Sequence, residues 1–355
     1  MIAMTDPDAM AGYIVTGANG WLGRRLVTAL TRGIAGMAIE GLAGRQVRCL
    51  VPAGEDTALL ERHGAEVVRG DIRDEAALEA LFDGAQGWGV FHLAGVIHPR
   101  HPRDFVATNV QGTANVLEAA AMAQARRIVV MSSNSPFGAN PSSEHRFDEA
   151  SAYNPYMGYG NSKWQMELLL RAEMNRPARP EIVIARAPWF YGPGQPPRQS
   201  EFFAMIRQGR FPIVGPGTNR RSMSYVDSLA QGLALCMLVT DAAGEIYWLA
   251  DAEAYSMLEI VDTVAAVLRE DFGIAVSARR LQVPGLVSDA ARIADAGLQK
   301  LGVYAQKVHV LSEMNLTIAC SIDKARRELG YEPLVGLREG MRRSVEWCLN
   351  NGQEI

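Results

Sequence analysis

Short apolar runs alternate with longer amphipathic segments along roughly the first 250 residues of the chain. The runs have the length of buried strands, and the segments between them carry apolar residues at helical spacing. Strands that alternate with helices in this way form a parallel sheet with helices on both faces. Right-handed crossovers then give an α/β, doubly wound fold whose ligands bind at the carboxyl ends of the strands. The predicted strands are residues 13–16, 46–51, 66–69, 90–93, 127–131, 182–186 and 245–249, and the predicted helices include residues 74–82, 105–123 and 223–239.

The first predicted strand runs directly into the glycine-rich sequence GANGWLG, residues 17–23. Leucines at helical spacing follow, so the glycines lie between a strand and the N-terminus of a helix. Glycine allows a tight turn and a close approach of the backbone, and the helix dipole attracts an anion. A glycine-rich turn without a ligand is the alternative, but this position favours the pyrophosphate site of a dinucleotide.

The end of the second predicted strand does not decide which dinucleotide binds. A dinucleotide fold places an acidic residue there for the ribose hydroxyls of NAD, or an arginine nearby for the phosphate of NADP. This chain has Val51 and Pro52 at that place, with Glu55 and Asp56 a little further on. The sequence therefore leaves both NAD and NADP open as the cofactor.

Tyr159 and Lys163 are four residues apart in a predicted helix, so their side chains project from the same face. A free phenol titrates near ~10, and a neighbouring ammonium group favours the phenolate. Ser133 lies at the end of the fifth predicted strand, where a hydroxyl can hydrogen-bond a reacting oxygen. Capping or turn formation is the plainer role, and it suits Ser132 and Ser135 better. Because Gly17, Asp71, Ala94 and Ser133 all follow predicted strands, we expect one shared site.

Composition sets outer limits on function. At 355 residues, the chain is long enough for two domains, and its 48% hydrophobic and 21% charged residues are ordinary for a globular protein. The net charge of −4 gives no reason to expect a nucleic acid or a membrane surface as partner. The four cysteines are scattered without metal-type spacing and indicate small buried residues. With no secretory signal at the start, we expect a cytoplasmic protein.

Several further motifs accompany these residues in a fixed order. The motifs are the glycine turn at 17–23, GDI at 70–72, FHLAG at 91–95, TNVQGT at 108–113, SS at 132–133, YGNSK at 159–163, YGPG at 191–194, Arg221 with YVD at 225–227, and the segment 324–333. With these motifs in this order, the sequence resembles the extended short-chain dehydrogenases/reductases of the NAD-dependent epimerase/dehydratase type, and the resemblance runs from residue 12 almost to the C-terminus.

The resemblance implies a Rossmann-type sheet with a smaller C-terminal substrate domain. The dinucleotide-binding domain would comprise residues 12–187 and 223–250, and the substrate domain residues 188–222 and 251–355. Tyr159 would move the proton of a substrate hydroxyl, Lys163 would bond the nicotinamide ribose and lower the pKa of Tyr159, and Ser133 would hold the substrate oxygen. The residues implied to bind the cofactor are Gly17, Asn19, Gly20, Trp21, Leu22, Gly23, Asp71, Ile72, Leu93, Ala94, Gly95, Asn109, Tyr159, Lys163 and Pro188.

Asn134, Ser135 and Arg221 are implied to contact the substrate. Arg221 matches an arginine that binds the diphosphate of sugar nucleotides; a solvated loop charge is its alternative role. The related dehydratases have acidic residues where this chain has Asn134 and Ser135, so 4,6-dehydration is disfavoured. The favoured function is therefore NAD(P)-dependent oxidation, reduction or epimerisation at a hydroxyl or keto carbon of a nucleoside-diphosphate sugar.

Two other functions stay open. An amphipathic helix predicted within residues 283–301 resembles the hydroxysteroid dehydrogenase branch, whose members take apolar alcohols, although such a helix is more often core. A non-catalytic NAD(P)-sensing protein is the other, and the retained Tyr159–Lys163 pair argues against it. The resemblance also implies a homodimer formed by helices near 105–123 and 156–172. His98 and His101 lie in a basic loop without further ligands, so no metal site is predicted.

Overall fold

The computed structural model describes residues 2–5, 10–34, 36–37, 43–174 and 176–355. The predicted alternation of strands and helices is confirmed. The strands are β1 (Gly12–Thr16), β2 (Gln46–Val51), β3 (Glu66–Arg69), β4 (Gly89–His92), β5 (Arg127–Ser133), β6 (Glu181–Ala187), β7 (Trp189–Tyr191), β8 (Pro212–Val214), β9 (Arg220–Tyr225), β10 (Ile246–Trp248), β11 (Ala254–Ser256) and β12 (Leu281–Val283). The helices are α1 (Trp21–Arg32), α2 (Ala58–Arg62), α3 (Glu75–Phe82), α4 (Arg103–Val106), α5 (Thr113–Met122), α6 (Met157–Glu173), α7 (Pro197–Arg207), α8 (Val226–Leu238), α9 (Met257–Ala266), α10 (Gly285–Lys300), α11 (Gln306–Glu313), α12 (Asp323–Leu329) and α13 (Leu337–Asn350).

Seven strands form a parallel sheet in the order β3-β2-β1-β4-β5-β6-β10. The chain adds β2 and β3 on one side of β1 and then crosses to add β4 on the other side, so the direction in which strands are added reverses between β1 and β4. The carboxyl ends of β1 and β4 lie at the same level, with Thr16 paired to His92. An open parallel sheet binds its ligand at such a reversal. The predicted Rossmann-type doubly wound fold is confirmed.

Apolar residues on the two faces of this sheet support separate helix layers. In β1, Val15 belongs to the core beneath α1 and α8, whereas Ile14 belongs to the core beneath α3, α5 and α6. Helix α8 is buried along all 13 of its residues, because it lies between the sheet and the helices α1 and α12. A strand buried on both faces needs apolar residues at successive positions, which explains the unbroken apolar runs of the sequence.

Two predicted helices differ in detail from the observed ones. The helix predicted over 223–239 begins only at Val226, because Met223 belongs to β9. A continuous apolar run fits a buried strand as well as a helix, so the pattern could not separate them. The long helix predicted over 105–123 contains a π-helical stretch at Ala107–Gly112 between α4 and α5. Such wide turns occur often at functional sites, and this one carries Asn109.

The remaining strands and helices form smaller layers next to the carboxyl ends of the parallel sheet. Strands β11, β9 and β7 form one small sheet and β12 pairs with β8 in another. Helices α7, α9 and α13 enclose a third apolar core. Helices α10 and α11 pack against each other as a hairpin. The predicted division into a dinucleotide domain and a substrate domain stays a prediction. None of the helices in the described part of the chain combines the length and the apolar character needed to cross a bilayer.

Candidate active site

The glycine turn after β1 is closely packed, and its glycines are required. A side chain at Gly17, whose φ is +69°, would place its Cβ atom 2.6 Å from the backbone nitrogen of Ala94. A Cβ atom at Gly23 would lie 2.2 Å from the carbonyl oxygen of Gly17. Gly20 caps α1 without a side-chain hydrogen bond, and the first turn carries no acidic residue. The N-terminus of α1 thus presents uncapped N–H groups, the arrangement that binds phosphate.

Asn109 connects the end of β4 to α6. Its side-chain amide accepts from the Val96 N–H at 2.8 Å and donates to the Val96 carbonyl at 3.1 Å and to the Ser162 hydroxyl at 3.0 Å. A Cβ atom at Gly95 would lie 3.2 Å from Asn109 Oδ1 and 3.5 Å from Lys163 Nζ. The glycine turn, the β4 end, the π-helical stretch and α6 therefore meet at one place.

A buried histidine that the sequence analysis did not single out supports the two central strand ends. His92 Nδ1 lies 2.7 Å from Thr16 Oγ1, and its Nε2 lies 2.9 Å from Thr113 Oγ1. Burial lowers the pKa of His92 to about 3, with Lys163 acting in the same direction, so the ring is neutral. The bonds to both threonines fix the distance between β1, β4 and α5 under the glycine turn.

Tyr159 and Lys163 lie one turn apart on α6, and both reach the end of β5. The Ser133 hydroxyl is near enough to the Tyr159 phenol to lower its pKa. Lys163 Nζ donates to the carbonyl of Met131 at 2.9 Å, which ties α6 to β5 one strand position before the two serines. Burial lowers the pKa of Lys163 to about 8, and the Glu167 carboxylate one turn away opposes that change.

The expected lowering of the Tyr159 pKa is wrong for the chain's own residues. Burial raises the pKa of Tyr159 to about 12; the nearby Ser133 hydroxyl lowers the pKa in part, and the Glu313 carboxylate raises it. Lys163 does not offset this burial, because its ammonium is bonded to a carbonyl and its own charge is disfavoured by desolvation. The phenol of Tyr159 is therefore protonated at neutral pH.

A fully buried ion pair lies beneath these residues. Arg186 Nη2 donates to Glu167 Oε2 at 2.7 Å, and both side chains are 0% exposed. Glu167 also accepts from the hydroxyls of Ser132 at 2.6 Å and Tyr153 at 2.7 Å. This pair joins α6, β5 and β6 under the site. Apolar spacing could not reveal it, because a charged pair in a core has no periodic signature.

The other residues implied to bind the cofactor lie around the same crevice. Trp21 Nε1 donates to the Pro193 carbonyl at 2.8 Å and joins the glycine turn to the chain after Pro188. Asn19 donates to Glu55 at 2.6 Å, so the acid just beyond β2 does reach the glycine turn. Asp71 follows β3 and pairs with Arg73 at 2.6 Å, which holds the pKa of its carboxyl below the usual range. Ile72 packs against Gly112, and Leu93 and Ala94 lie directly beside Gly17.

The residues implied to contact the substrate lie in two segments, one directly after β5 and the other in β9. Asn134 and Ser135 follow β5, and both Ser135 Oγ and its backbone N–H lie within 3.3 Å of Ser133 Oγ. Arg221 is a half-buried residue of β9, and its Nη2 donates to the carbonyl of Glu313 at 2.5 Å. Burial lowers the pKa of Arg221. This position rules out the alternative of a solvated loop charge, while the diphosphate role stays a prediction.

The α10–α11 hairpin packs against the start of α6, close to Tyr159, and adds residues that the sequence analysis missed. Tyr304 Oη is hydrogen-bonded to His98 Nδ1 at 2.8 Å, and its ring packs edge-on against Phe105. Phe105 in turn lies 6.0 Å from the Tyr159 ring, centre to centre. His309 is bonded to the fully buried Asp295 at 2.7 Å. The contacts of Tyr304 with His98 and Phe105 join segments about 200 residues apart, so no local pattern could show them. No cluster suited to a metal ion occurs in the portion of the chain that the structure describes.

Comparison with known proteins places these features in a family. The model of the NAD dependent epimerase/dehydratase family matches residues 13–250. An uncharacterised protein of Sinorhizobium fredii is 53% identical over 342 residues, 96% of each chain. A relative from Escherichia coli O157:H7, N-acetyl-alpha-D-glucosaminyl-diphospho-ditrans,octacis-undecaprenol 4-epimerase, is 29% identical over 265 residues, 72% of each chain. The crystal structure of dTDP-glucose 4,6-dehydratase from Streptomyces venezuelae with NAD bound superposes with a TM-score of 0.71 at 25% identity, covering 96% of this chain and 97% of that one.

The residues present fit a dinucleotide. The tight glycine turn leaves the N-terminus of α1 uncapped, and Gly95 keeps the space beside Lys163 Nζ clear. Both features lie where the strand order reverses, the place at which this type of sheet takes a nucleotide. The chain belongs to the NAD dependent epimerase/dehydratase family, and it is an NAD-dependent enzyme of the extended short-chain dehydrogenase/reductase type.

Proposed function

We propose that the enzyme oxidises, reduces or epimerises a hydroxyl or keto carbon of a nucleoside-diphosphate sugar, with Tyr159, Lys163 and Ser133 as the residues that act on it. The observation that supports this proposal is the placement of the Tyr159 phenol near Ser133 at the end of β5, with Lys163 one turn along α6 and bonded to the carbonyl of Met131. Two hydroxyls near one another can both contact a single substrate oxygen.

Bound NAD supplies the hydride chemistry, and the chain supplies proton transfer and orientation. Tyr159 carries its proton at neutral pH, so it can donate that proton to a carbonyl oxygen and take it back from the alcohol. Ser133 holds the same oxygen and keeps the phenol oriented. Lys163 is largely cationic at neutral pH, because its pKa is about 8, and its charge is available to stabilise negative charge that develops on the substrate oxygen.

The sugar-nucleotide class is supported by Arg221 and by the relatives. Arg221 is half-buried next to the hairpin that covers Tyr159, and a guanidinium fork is well suited to a diphosphate. The two relatives of known activity act, by their names, on a sugar diphosphate carried by a polyprenol and on dTDP-glucose. Because Asn134 and Ser135 lack carboxylates, oxidation, reduction or epimerisation is favoured over dehydration.

An apolar alcohol is the second candidate substrate, and one observation favours it. Phe105 and Tyr304 form an aromatic wall near Tyr159: the Phe105 ring centroid lies 6.0 Å from that of Tyr159 and 5.8 Å from that of Tyr304. Aromatic side chains of this kind suit an apolar ring system. Thermal shift with UDP, GDP and dTDP separates the two classes, because a bound nucleotide stabilises only a sugar-nucleotide enzyme.

Assembly and cellular location extend this proposal. We place the homodimer contact on α5 and α6, where Met122 is 80% exposed and Leu168 is 44% exposed. Apolar side chains as exposed as these are compatible with a helix-on-helix contact. Sedimentation velocity tests the dimer. We also propose a cytoplasmic location, which fits the absence of any predicted disulfide framework among the four cysteines, all of them free.

The Tyr159→Phe variant tests the catalytic role. Loss of the phenol oxygen removes general acid–base catalysis, so turnover falls by about a hundredfold or more while the affinity for NAD stays unchanged. Turnover is measured with the nucleotide sugar that gives the largest thermal shift, and NAD affinity by fluorescence titration. Tyr13→Phe serves as the matched control, because it removes a phenol oxygen that is buried without a hydrogen-bond partner in β1 and has no proposed role in proton transfer. Turnover retained in Tyr159→Phe contradicts the proposal.

A further inference from the structure

The outer face of the α10–α11 hairpin carries an apolar stripe without a partner in the described chain. Leu286 is 78% exposed, Ile293 is 76% exposed and Leu301 is 81% exposed. At 100° per residue these three side chains lie on one side of α10 and of the turn that follows it. The same side includes exposed Ala290, Ala294 and Gly297. We call these six residues the outer stripe.

The outer stripe is opposite to the face that packs against the rest of the enzyme. The buried residues of α10 are Ser288, Ala291 and Asp295. Near its C-terminal end, Gln299 accepts from the Gly158 N–H at 3.0 Å in the first turn of α6. One face of helix α10 is packed against the rest of the enzyme, and the opposite face exposes apolar side chains to solvent. Large apolar side chains gathered on an exposed face mark an interaction surface more often than an ordinary protein surface.

Basic side chains lie near the C-terminal end of the outer stripe. Lys300 and Lys307 are exposed at the C-terminal end of α10 and the start of α11. Arg100 and Arg103 are exposed on the loop that reaches the hairpin through the His98–Tyr304 hydrogen bond. Arg292 is also exposed on α10, but at 100° per residue it lies away from the stripe, beside the buried face.

Few carboxylates balance Lys300, Lys307, Arg100 and Arg103. In residues 97–106 and 284–310 the acidic residues are Asp104, Asp289 and Asp295. Asp289 is paired with Arg292 at 3.4 Å, and Asp295 is buried against His309. The whole chain carries a net charge of −4, so this face has the opposite sign from the molecule as a whole. The overall charge, which argued against a membrane surface as partner, conceals this local excess.

We propose that the outer stripe and its basic surroundings dock onto the surface of an anionic phospholipid bilayer. A helix with Leu and Ile on one side and Lys and Arg beside them lies in the plane of a lipid interface. Leu286, Ile293 and Leu301 would enter the acyl boundary, and the basic side chains would meet the lipid phosphates. Leu286, Ile293 and Leu301 are spread over some 15 residues, with the small residues of the stripe between them. Separate side chains of this kind suit a fluid lipid surface, which each of them can enter on its own.

A second copy of the chain is a poorer occupant of this face. A two-fold contact pairs the same surface with itself, so the basic side chains of one copy would approach those of the other. Like charges brought together in this way oppose association, whereas lipid phosphates neutralise them. The inner face of the same hairpin contacts Gly158 and Phe105 near Tyr159. Docking would therefore hold the covered side of the active site next to the lipid surface.

Cosedimentation of the full chain with vesicles tests the proposal. One set of vesicles contains phosphatidylcholine alone, and the other contains phosphatidylglycerol in addition. We expect the protein to bind the phosphatidylglycerol vesicles at low salt, to bind phosphatidylcholine weakly, and to be released by added salt. The variant Leu286→Gln/Ile293→Gln/Leu301→Gln should lower the partition coefficient about tenfold or more.

Two further variants make the result decisive. Arg100→Gln/Arg103→Gln should weaken binding to phosphatidylglycerol vesicles and reduce the effect of salt, and it tests the docking face even if the triple variant does not fold. Leu349→Gln changes a side chain that is 42% exposed on α13, away from the hairpin, and should bind like the wild type. The proposal is overturned if the wild type stays in the supernatant at low salt, or if the triple variant binds as the wild type does. It is also overturned if the triple substitution converts a dimer into monomers in sedimentation velocity, since the stripe would then be a self-contact.

Discussion

Replacing Glu167 with glutamine should destabilise the enzyme strongly although it leaves the shape of the core unchanged. The Glu167 carboxylate lies 2.7 Å from Arg186 Nη2, and neither side chain is exposed. Three groups donate to it, the Ser132 hydroxyl at 2.6 Å, the Tyr153 hydroxyl at 2.7 Å and the Arg186 guanidinium. Glutamine keeps the volume and one acceptor, but it leaves the buried guanidinium without a negative partner.

The size of the effect follows from that burial. Removing one member of a buried ion pair costs about 3–5 kcal/mol, because the remaining charge is desolvated and unpaired. Arg186 also lies 4.4 Å from the centroid of the Phe137 ring, but a cation–π contact replaces only a part of the lost interaction. We therefore expect the free energy of unfolding of Glu167→Gln to fall by about 3–5 kcal/mol. The pKa of Lys163 should also fall below about 8, because Glu167 is the charge that opposes its burial.

Urea unfolding followed by tryptophan fluorescence measures the first effect. Trp248 is fully buried and the Arg186 guanidinium lies 5.5 Å from its ring centroid, so its emission reports on this core. The matched control is Glu118→Gln, which breaks the pair with Arg179 at 2.6 Å where Glu118 is 59% exposed. Exposed pairs contribute about 0–1 kcal/mol, so this variant should unfold close to the wild type. If Glu167→Gln loses no more stability than Glu118→Gln, the buried pair does not support the site as argued.

Two further predictions concern the glycine turn and Lys163. Gly23→Ala places a Cβ atom 2.2 Å from the Gly17 carbonyl oxygen, so the affinity for NAD should fall more than tenfold in a fluorescence titration. The control is Gly297→Ala, whose Cβ atom meets no atom within 4 Å and which should bind NAD as the wild type does. Equal NAD affinities in the two variants would contradict the packing argument. Folding lowers the pKa of Lys163 from its ordinary 10.5 to about 8, so the unfolded chain binds more protons between these values and stability rises with pH across that range. Lys163→Met should lack that part of the rise, about 2–3 kcal/mol between pH 8 and 10.5 by urea unfolding, and equal slopes in the two proteins would refute it.

The sequence by itself determined the parallel sheet and the position of the site along it. Apolar runs of strand length between helical segments specify a doubly wound sheet, because both faces of each strand must be covered. In such a sheet, the glycines of residues 17–23 and the Tyr159–Lys163 pair can come together only at the carboxyl ends of the strands. These features are local, since each depends on the spacing of a few neighbouring residues.

The tertiary structure alone decided the electrostatics of the site and its cover. Burial reverses the direction expected for the Tyr159 pKa, since desolvation depends on every element packed around the phenol. The Tyr304–His98 bond joins residues 206 positions apart in the chain, and the Glu167–Arg186 pair joins α6 to β6 without any periodic signature. The helical spacing of α10 does not reveal that Ser288 and Asp295 are packed inward while Leu286 and Ile293 face solvent. Periodicity fixes which side chains share a face, whereas the partner of that face, and with it the local dielectric, is set by chain topology.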